Sequence, residues 1–263
     1  LKFVADINPS RLAEMAEETQ CVFIPMEAMN SDGTFDQSRR RPVAELKGGF
    51  TCFAKDDVIF AKITPCFENG KGALLAELAS DIGFGSTEFH VLRKRKGTTI
   101  PRFLYYLSIS GVFRRSGEAF MQGVAGQKRV TNDFVRDFVA GFPSVDEQEQ
   151  IADFLDRKTA HINYLIAKKE RMIELLKEER AAVINQAVTK GLDPSVEMKD
   201  SGIKWLGKVP THWVLKKLKY VSRVNSMALP ETTDENYSFN YIDIGNVDLE
   251  DGVNLGEKIR FVG

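Results

Sequence analysis

Residues 144–190 read SVDEQEQIADFLDRKTAHINYLIAKKERMIELLKEERAAVINQAVTK, without a single glycine or proline. Ser144 can cap a helix there, and Glu147 follows at the spacing of a capping box. The apolar positions that recur every three or four residues are Ile151, Leu155, Ile162, Leu165, Met172, Leu176 and Val183. This a/d seam predicts one helix of about 66 Å that pairs with another helix. The alternative is a long core helix of one globular domain, which the length disfavours.

The residues before this stretch change from strand-like to helix-like patterns. Short β-branched and aromatic runs dominate up to about residue 98. Thr98 or Thr99 can then cap a helix that has Pro101 in its first turn and continues through residue 113, and Thr131 or Asn132 can start another. Strands followed by helices predict an α+β fold, in which a β-rich domain with short helices precedes the long coiled-coil-like helix.

A segment at the start of the chain recurs near its end. Residues 1–8 read LKFVADIN and residues 218–225 read LKYVSRVN, and Met26–Asn30 matches Ile242–Asn246 at almost the same offset. The period of about 217 residues is domain-sized and predicts a repeated domain. We therefore expect the chain to be cut off at both ends, with only the opening strands of a second unit present.

Four parts make up the predicted organisation. They are a first domain at 1–145, a long spacer or dimerisation helix at 146–192, a linker and lead-in at 193–217, and the truncated start of a second domain at 218–263. Trp205 and Trp213 lie close together in the lead-in. Their large side chains are expected to anchor the next domain by packing.

Bulk composition restricts the function only loosely. The chain is 43% hydrophobic and 28% charged with a formal net charge of −1, so no overall basic field indicates nucleic acid. Three cysteines without a C-x-x-C pair are typical of a reducing cytoplasm, and no apolar run reaches the roughly 18 residues of a membrane span. Local basic clusters occur at 39–41, 93–96, 114–115 and 216–219, and each can equally be a solvated surface.

The motifs of catalysis are missing from the sequence. It has neither the G-x-x-x-x-G-K-[ST] loop that binds ATP nor the Asn-Pro-Pro-aromatic motif of adenine methyltransferases. His90, His161 and His212 are too widely spread to indicate a metal site. Asp36 with Glu45-Leu46-Lys47 has a nuclease-like pattern, but chance produces it readily among 37 acidic residues. The sequence thus predicts a non-catalytic protein rather than a stand-alone nuclease or methyltransferase.

Two segments carry a specific resemblance. Phe142–Asp156 (FPSVDEQEQIADFLD) resembles the P-x-x-x-E-Q-x-x-I-x-x-F-L-D start of the conserved helix in type I restriction–modification specificity subunits. Met198–Trp213 is similar to the lead-in that precedes a target-recognition domain in that family. A weaker similarity lies in residues 57–65, 85–89 and 120–130, as expected of a domain that varies with its DNA target.

The resemblance implies a sequence-specific DNA-binding subunit. Such subunits carry two target-recognition domains that read the halves of a split site in double-stranded DNA, and their two long helices pair antiparallel as a spacer. Modification subunits bind around the helices and methylate adenine with S-adenosylmethionine, and a restriction and translocase subunit uses ATP and Mg to move and cut DNA. The chain itself would need no metal or cofactor and no membrane, and a homodimer through its helix is a further expectation.

A DNA-reading surface needs cations for phosphates and amide or hydroxyl groups for base edges. Two loops, residues 62–71 and 122–129, offer this mixture, and the glycines of the second let the backbone approach DNA. The candidate DNA-binding residues are Lys62, Asn69, Lys71, Gln127, Lys128 and Arg129. Ordinary surface loops are the alternative reading of both.

The rival function is a coiled-coil interaction protein with a β-rich head and no nucleic-acid role. Generic coiled coils lack the combined motifs around Glu147-Gln148 and residues 205–213. Those motifs favour the specificity subunit.

Overall fold

The computed structural model describes residues 1–9, 16–124, 126–224, 229–230, 232–234, 237–248, 252–254 and 258–260. The chain divides into two compact units, residues 1–171 and 172–263, with the boundary inside one long helix. The predicted domain boundaries at 145, 192 and 217 are a different division and stay a prediction.

The first unit contains strands followed by helices. Its strands are β1 Ala5–Ile7, β2 Gln20–Ile24, β3 Arg40–Pro42, β4 Thr51–Ala54, β5 Val58–Ala61, β6 Gly72–Leu74, β7 Ile82–Gly85 and β8 Phe89–Lys94. Its helices are α1 Val43–Leu46, α2 Pro101–Ile109, α3 Gly111–Ala119, α4 Asn132–Asp137 and α5 Val145–Lys190, whose last turns belong to the second unit. The predicted α+β fold class is confirmed.

The strands in the described part of the first unit form two four-stranded sheets. One has the order β1-β8-β5-β6 with antiparallel neighbours, and the other has the order β3-β2-β7-β4 with a parallel β2–β7 pair. All of β5 is buried, because Ile59 clusters with Phe53 of the second sheet while Phe60 clusters with Phe113 of α3. A strand covered on both faces requires a continuous apolar run, which Val58–Ala61 supplies.

The helices after β8 differ from the sequence expectation. The predicted cap Thr99 is not a cap, because Ile100 occupies that position of α2 and the Thr99 hydroxyl bonds elsewhere. The single predicted helix is two helices, since Ser110 adopts an extended backbone and its Oγ accepts a hydrogen bond from the Phe113 amide. Thr131 caps α4, as one of the two predicted starts.

The strands in the described part of the second unit are short. They are β9 Met198–Asp200, β10 Lys208–Pro210, β11 Ser238–Asn240, β12 Val247–Asp248, β13 Gly252–Val253 and β14 Lys258–Arg260. Three two-stranded antiparallel pairs result, namely β9–β10, β11–β14 and β12–β13. Trp205 is 84% exposed, so the expectation that both tryptophans anchor by packing is wrong for it, while Trp213 is half-buried near Gly191.

The internal repeat is visible in the backbone. The β11–β14 pair repeats the β2–β3 pair, since Ser238 opposite Arg260 lies 218 residues after Gln20 opposite Pro42. A 3₁₀ turn follows in both copies, at Met26–Ala28 and Ile244–Asn246. The match extends from sequence to strand register, which supports the predicted repeat. The segment from 225 onward includes undescribed residues, among them position 225 itself.

The long helix ends where Gly191 takes a φ of 78°, a left-handed angle that favours glycine after a helix. Of the predicted seam residues, Ile151 and Leu155 are half-buried. The remaining five are between 42% and 60% exposed, and they are Ile162, Leu165, Met172, Leu176 and Val183. Among the described residues, no helix is long and apolar enough to cross a membrane.

Candidate nucleic-acid interface

The two predicted loops lie side by side. The Thr64 amide donates to the Lys128 carbonyl at 2.9 Å, and the Lys128 amide donates to Thr64 Oγ1 at 3.1 Å. The Thr64 hydroxyl also donates to the Gly126 carbonyl, and the Val130 amide donates to the Lys62 carbonyl at 2.8 Å. Residues 62–71 and 122–129 are about sixty positions apart in sequence, and these bonds join them into one surface.

A buried arginine forms hydrogen bonds to the backbone of the 62–71 loop. Arg114 of α3 is 8% exposed, and its guanidinium donates to the carbonyls of Phe67 at 2.9 Å and Gly70 at 3.4 Å. It also lies over the Phe67 ring, 4.7 Å from the centroid. Burial lowers the pKa of Arg114 to about 10, because the charged form loses hydration. Its Nε has no hydrogen-bond partner among the described residues.

Of the six predicted DNA-binding residues, Arg129 and Lys71 make hydrogen bonds to described residues through their side chains. The Arg129 guanidinium forms a bidentate pair with the Glu88 carboxylate at 2.9 and 3.0 Å, and this pair holds the pKa of Glu88 below its usual range. The Lys71 ammonium donates to the Met26 carbonyl at 3.0 Å. Both side chains fix the loops in place, whatever further contacts they make.

The other four predicted residues differ in exposure. Asn69, Gln127 and Lys128 are exposed, whereas Lys62 is half-buried and lines a polar cavity of about 330 Å³. Lys62 is close enough to Glu88 to lower the pKa of that carboxyl as well. The predicted set therefore lies on two adjacent loops. Lys62 lines the cavity, and Gln127 and Lys128 follow Gly126 in the 122–129 loop.

A hydrogen-bond network that the sequence did not reveal underlies this surface. Asn8 donates through Nδ2 to Asn132 Oδ1 at 2.8 Å and to His90 Nδ1 at 3.1 Å, and its Oδ1 accepts from the Val91 amide. The opposite ring nitrogen of His90 donates to the Val130 carbonyl at 2.8 Å. The only sequence signal was that Asn8 ends the repeated segment. The network ties the end of β1 to the 122–130 segment.

The same network makes stability depend on pH. Burial lowers the pKa of His90 from 6.5 to about 4, because an imidazolium would be desolvated there and would lose the hydrogen bond from Asn8. Between these values the unfolded chain binds a proton that the folded chain does not. We therefore expect the free energy of unfolding to fall as pH falls from 6.5 to 4, by about 3 kcal/mol in total.

Urea unfolding at a series of pH values measures this loss. His90→Gln should flatten the dependence between pH 6.5 and 4, whereas His161→Gln, on the exposed part of α5, should retain it. The carboxylates titrate in both proteins, so any difference between them comes from His90. If the free energy of unfolding depends on pH equally in the wild-type protein and in His90→Gln, the role assigned to His90 is wrong.

Most arginines of the predicted basic clusters have partners inside the first unit. Arg39 pairs with Glu27, Arg93 with the buried Asp57, and Arg95 with Asp6. Arg41 lies over the Phe23 ring at 4.6 Å. These four arginines are therefore engaged in contacts within the protein. Among the described residues, no three His, Cys, Asp or Glu side chains are grouped as a metal site would need.

No protein-family model matches the chain. It is 39% identical over 151 residues to the type I restriction enzyme EcoAI specificity subunit of Escherichia coli, and 36% identical over 153 residues to the EcoEI specificity subunit of the same species. The chain is related to type I restriction specificity subunits. The resemblance predicted from the sequence is thereby confirmed. The matches cover 56% and 57% of this chain and 25% of each specificity subunit, so the chain spans about a quarter of their length.

Two solved structures are similar to this chain. The HsdS subunit from Thermoanaerobacter tengcongensis matches with a TM-score of 0.49 and 21% identity, over 72% of this chain and 45% of that chain. A chain in a structure of the type I R-M system matches with a TM-score of 0.53 and 21% identity, over 70% of this chain and 46% of that chain. The latter shows a shared fold. The segment that resembles the conserved helix of specificity subunits starts α5, and the segment that resembles their lead-in contains β9 and β10.

Proposed function

We propose that the chain recognises a short sequence element in double-stranded DNA as part of a type I restriction–modification specificity subunit. The observation that carries the proposal is the identity of 36–39% to two specificity subunits. The joined 62–71 and 122–129 loops support it, since they present amide and ammonium groups together on one exposed surface.

The proposal assigns the chemistry to other subunits. Modification subunits would methylate adenine with S-adenosylmethionine, and a restriction subunit would use ATP and Mg, so that this chain directs both without being catalytic. A homodimer through α5 and a cytoplasmic location belong to the same proposal. The lack of ATP-binding and adenine-methyltransferase motifs in the sequence supports the non-catalytic role.

Selection from a library of randomised DNA duplexes tests this function. The chain, alone and with a modification subunit, should enrich one sequence motif, because base contacts discriminate between sites. Enrichment of no motif under either condition would contradict the proposal. Cleavage or methylation by the chain alone, with Mg²⁺ and the methyl donor, would contradict its non-catalytic part.

The salt dependence of binding tests the loop lysines. Each phosphate contact contributes about 0.9 to the slope of log K against log salt, so Lys62→Ala with Lys128→Ala should reduce the slope by about 2. Lys96→Ala, which removes an exposed lysine elsewhere in the first unit, is the matched control. Fluorescence anisotropy of the selected duplex at several salt concentrations gives the slopes. An unchanged slope and affinity in the double variant would remove the two lysines from the interface.

The exposed apolar side chains of α5 favour one rival, a coiled-coil interaction protein without a nucleic-acid role. Both functions predict a helical partner, and only the first predicts an enriched DNA motif. The selection experiment therefore separates them.

A further inference from the structure

A saturated polar junction joins the first unit to the start of the long helix. Gln148 is fully buried, and its carboxamide oxygen accepts hydrogen bonds from the Thr99 hydroxyl at 2.8 Å and the Ile100 amide at 3.2 Å. Its amide nitrogen donates to the carbonyls of Thr98 at 3.1 Å and Pro143 at 2.9 Å. A carboxamide offers two donors and two lone pairs, so Gln148 uses its full capacity. This side chain fixes the first turn of α5 against the segment that leads into α2.

A second set of contacts holds the next two turns. Arg102 and Tyr106 are four residues apart on α2 and therefore lie on one face. Arg102 donates to Asp153 Oδ1 at 2.6 Å and to Asp156 Oδ2 at 2.7 Å, and the Tyr106 hydroxyl donates to Asp156 Oδ1 at 2.5 Å. Half-exposed ion pairs contribute little to stability. They nevertheless restrict the geometry of the helix, because contacts on successive turns prevent it from rotating about its axis.

Beyond the junction, the part of α5 that belongs to the first unit is open to solvent. Residues 160–171 of α5 are all exposed. Over the roughly 40 Å of helix between residues 145 and 171, a swing of about 10° at the base moves the end by about 7 Å, the rise of about two base pairs. Within the described residues of the first unit, the direction of this part of α5 therefore depends on the junction.

We propose that Gln148, together with Arg102 and Asp156, is a positioning group that fixes the angle and rotation of the long helix on the DNA-reading unit. It thereby sets the distance between the DNA element that this unit reads and whatever is bound along the helix. The second statement rests on the proposed function, whereas the first concerns the protein alone. None of the three residues needs to contact DNA.

Pulsed electron paramagnetic resonance on the full chain tests the first statement. Spin labels attached to keto-bearing amino acids at Lys96 and Ala167, both exposed in the first unit, report the distance between head and helix. We expect one narrow distance in the parent protein and its loss in Gln148→Ala. Gln150→Ala is the matched control, because it removes the same side chain from an exposed position two residues later, and it should keep the narrow distance.

Arg102→Gln provides a second, milder variant, since Arg102 is 38% exposed and the fold should tolerate its removal. Its control is Arg115→Gln on the exposed face of α3. Broadening in Arg102→Gln and in neither control supports the junction even where Gln148→Ala does not fold. A broad distance in the parent protein, or a narrow one in every folded junction variant, overturns the proposal.

DNA binding then tests the second statement. Arg102→Gln should bind the selected element with the affinity of the parent chain. Assembled with modification subunits, it should tolerate changes in spacing that the parent complex rejects. If Arg102→Gln broadens the label distance but its complex still rejects changes in DNA spacing, the link between the junction and DNA spacing is wrong. Failure of the parent chain to enrich any motif would count against the proposed function, while the label distances would still decide the junction.

Discussion

Arg114→Ala is expected to lower the free energy of unfolding by about 3–5 kcal/mol, because it combines a core cavity with two lost hydrogen bonds. The side chain packs against the Phe60 and Phe67 rings, and its guanidinium donates hydrogen bonds to the Phe67 and Gly70 carbonyls. Relief of the desolvation that lowers the pKa of Arg114 to about 10 offsets part of this loss. Urea denaturation gives the free energy directly.

Arg114→Met separates packing from hydrogen bonding. Methionine keeps an unbranched side chain of similar reach and removes the buried charge, so it should recover part of the stability. In both Arg114 variants we expect weaker binding to the selected DNA element than in the parent protein, because the 62–71 loop lacks the hydrogen bonds at the Phe67 and Gly70 carbonyls. Arg115→Ala, at the exposed neighbouring position, should change neither quantity. Wild-type stability in Arg114→Ala would show that the loop does not depend on this contact.

Leu165→Glu combined with Leu176→Glu is expected to abolish helix pairing. Both leucines are exposed in the chain by itself, at 42% and 51%, and they occupy the predicted seam. Burying a leucine side chain contributes about 1.5–3 kcal/mol, so losing both weakens association by about 100-fold or more, before the added charges act. Light scattering measures self-association, and co-purification measures binding of the modification subunit.

The opposite face of the helix supplies a matched control. Ala167 and Ala181 are exposed, and changing each to glutamate adds the same two charges away from the seam. This control should associate as the parent does. If both double variants associate like the parent, the seam is not a pairing surface. If both lose association, the added charge rather than the seam is responsible.

The sequence predicted several elements because their signals are local. An apolar seam without glycine or proline indicated α5, and Ser144 marked its start. A helix forms from contacts three and four residues apart, so a continuous segment contains the information. The strand-rich region before residue 98 was predicted for a similar reason, since short β-branched and aromatic runs are typical of strands.

The roles of charged and polar residues could not be predicted in the same way. Arg129 was chosen because it is a cation in a glycine-rich loop, yet its hydrogen bonds to Glu88 cross 41 positions of sequence. Nothing near Arg114 indicated that it would be buried under a loop 44–47 residues away. A cation's availability to DNA depends on which carboxylate or carbonyl folding brings beside it. Exposure therefore follows from distant partners and not from the cluster in which a residue occurs.

By itself, the sequence determined the α+β class, the long helix, the domain-sized repeat and the relationship to specificity subunits. Each rests on periodicity or on a motif that is contiguous in the chain. Only the tertiary structure decided that the two loops meet through Thr64 and Lys128, and that Gln148 joins the helix to the head. Those contacts link residues about fifty or more positions apart. The physical reason is that buried polar groups must find hydrogen-bond partners, and folding, not sequence proximity, supplies them.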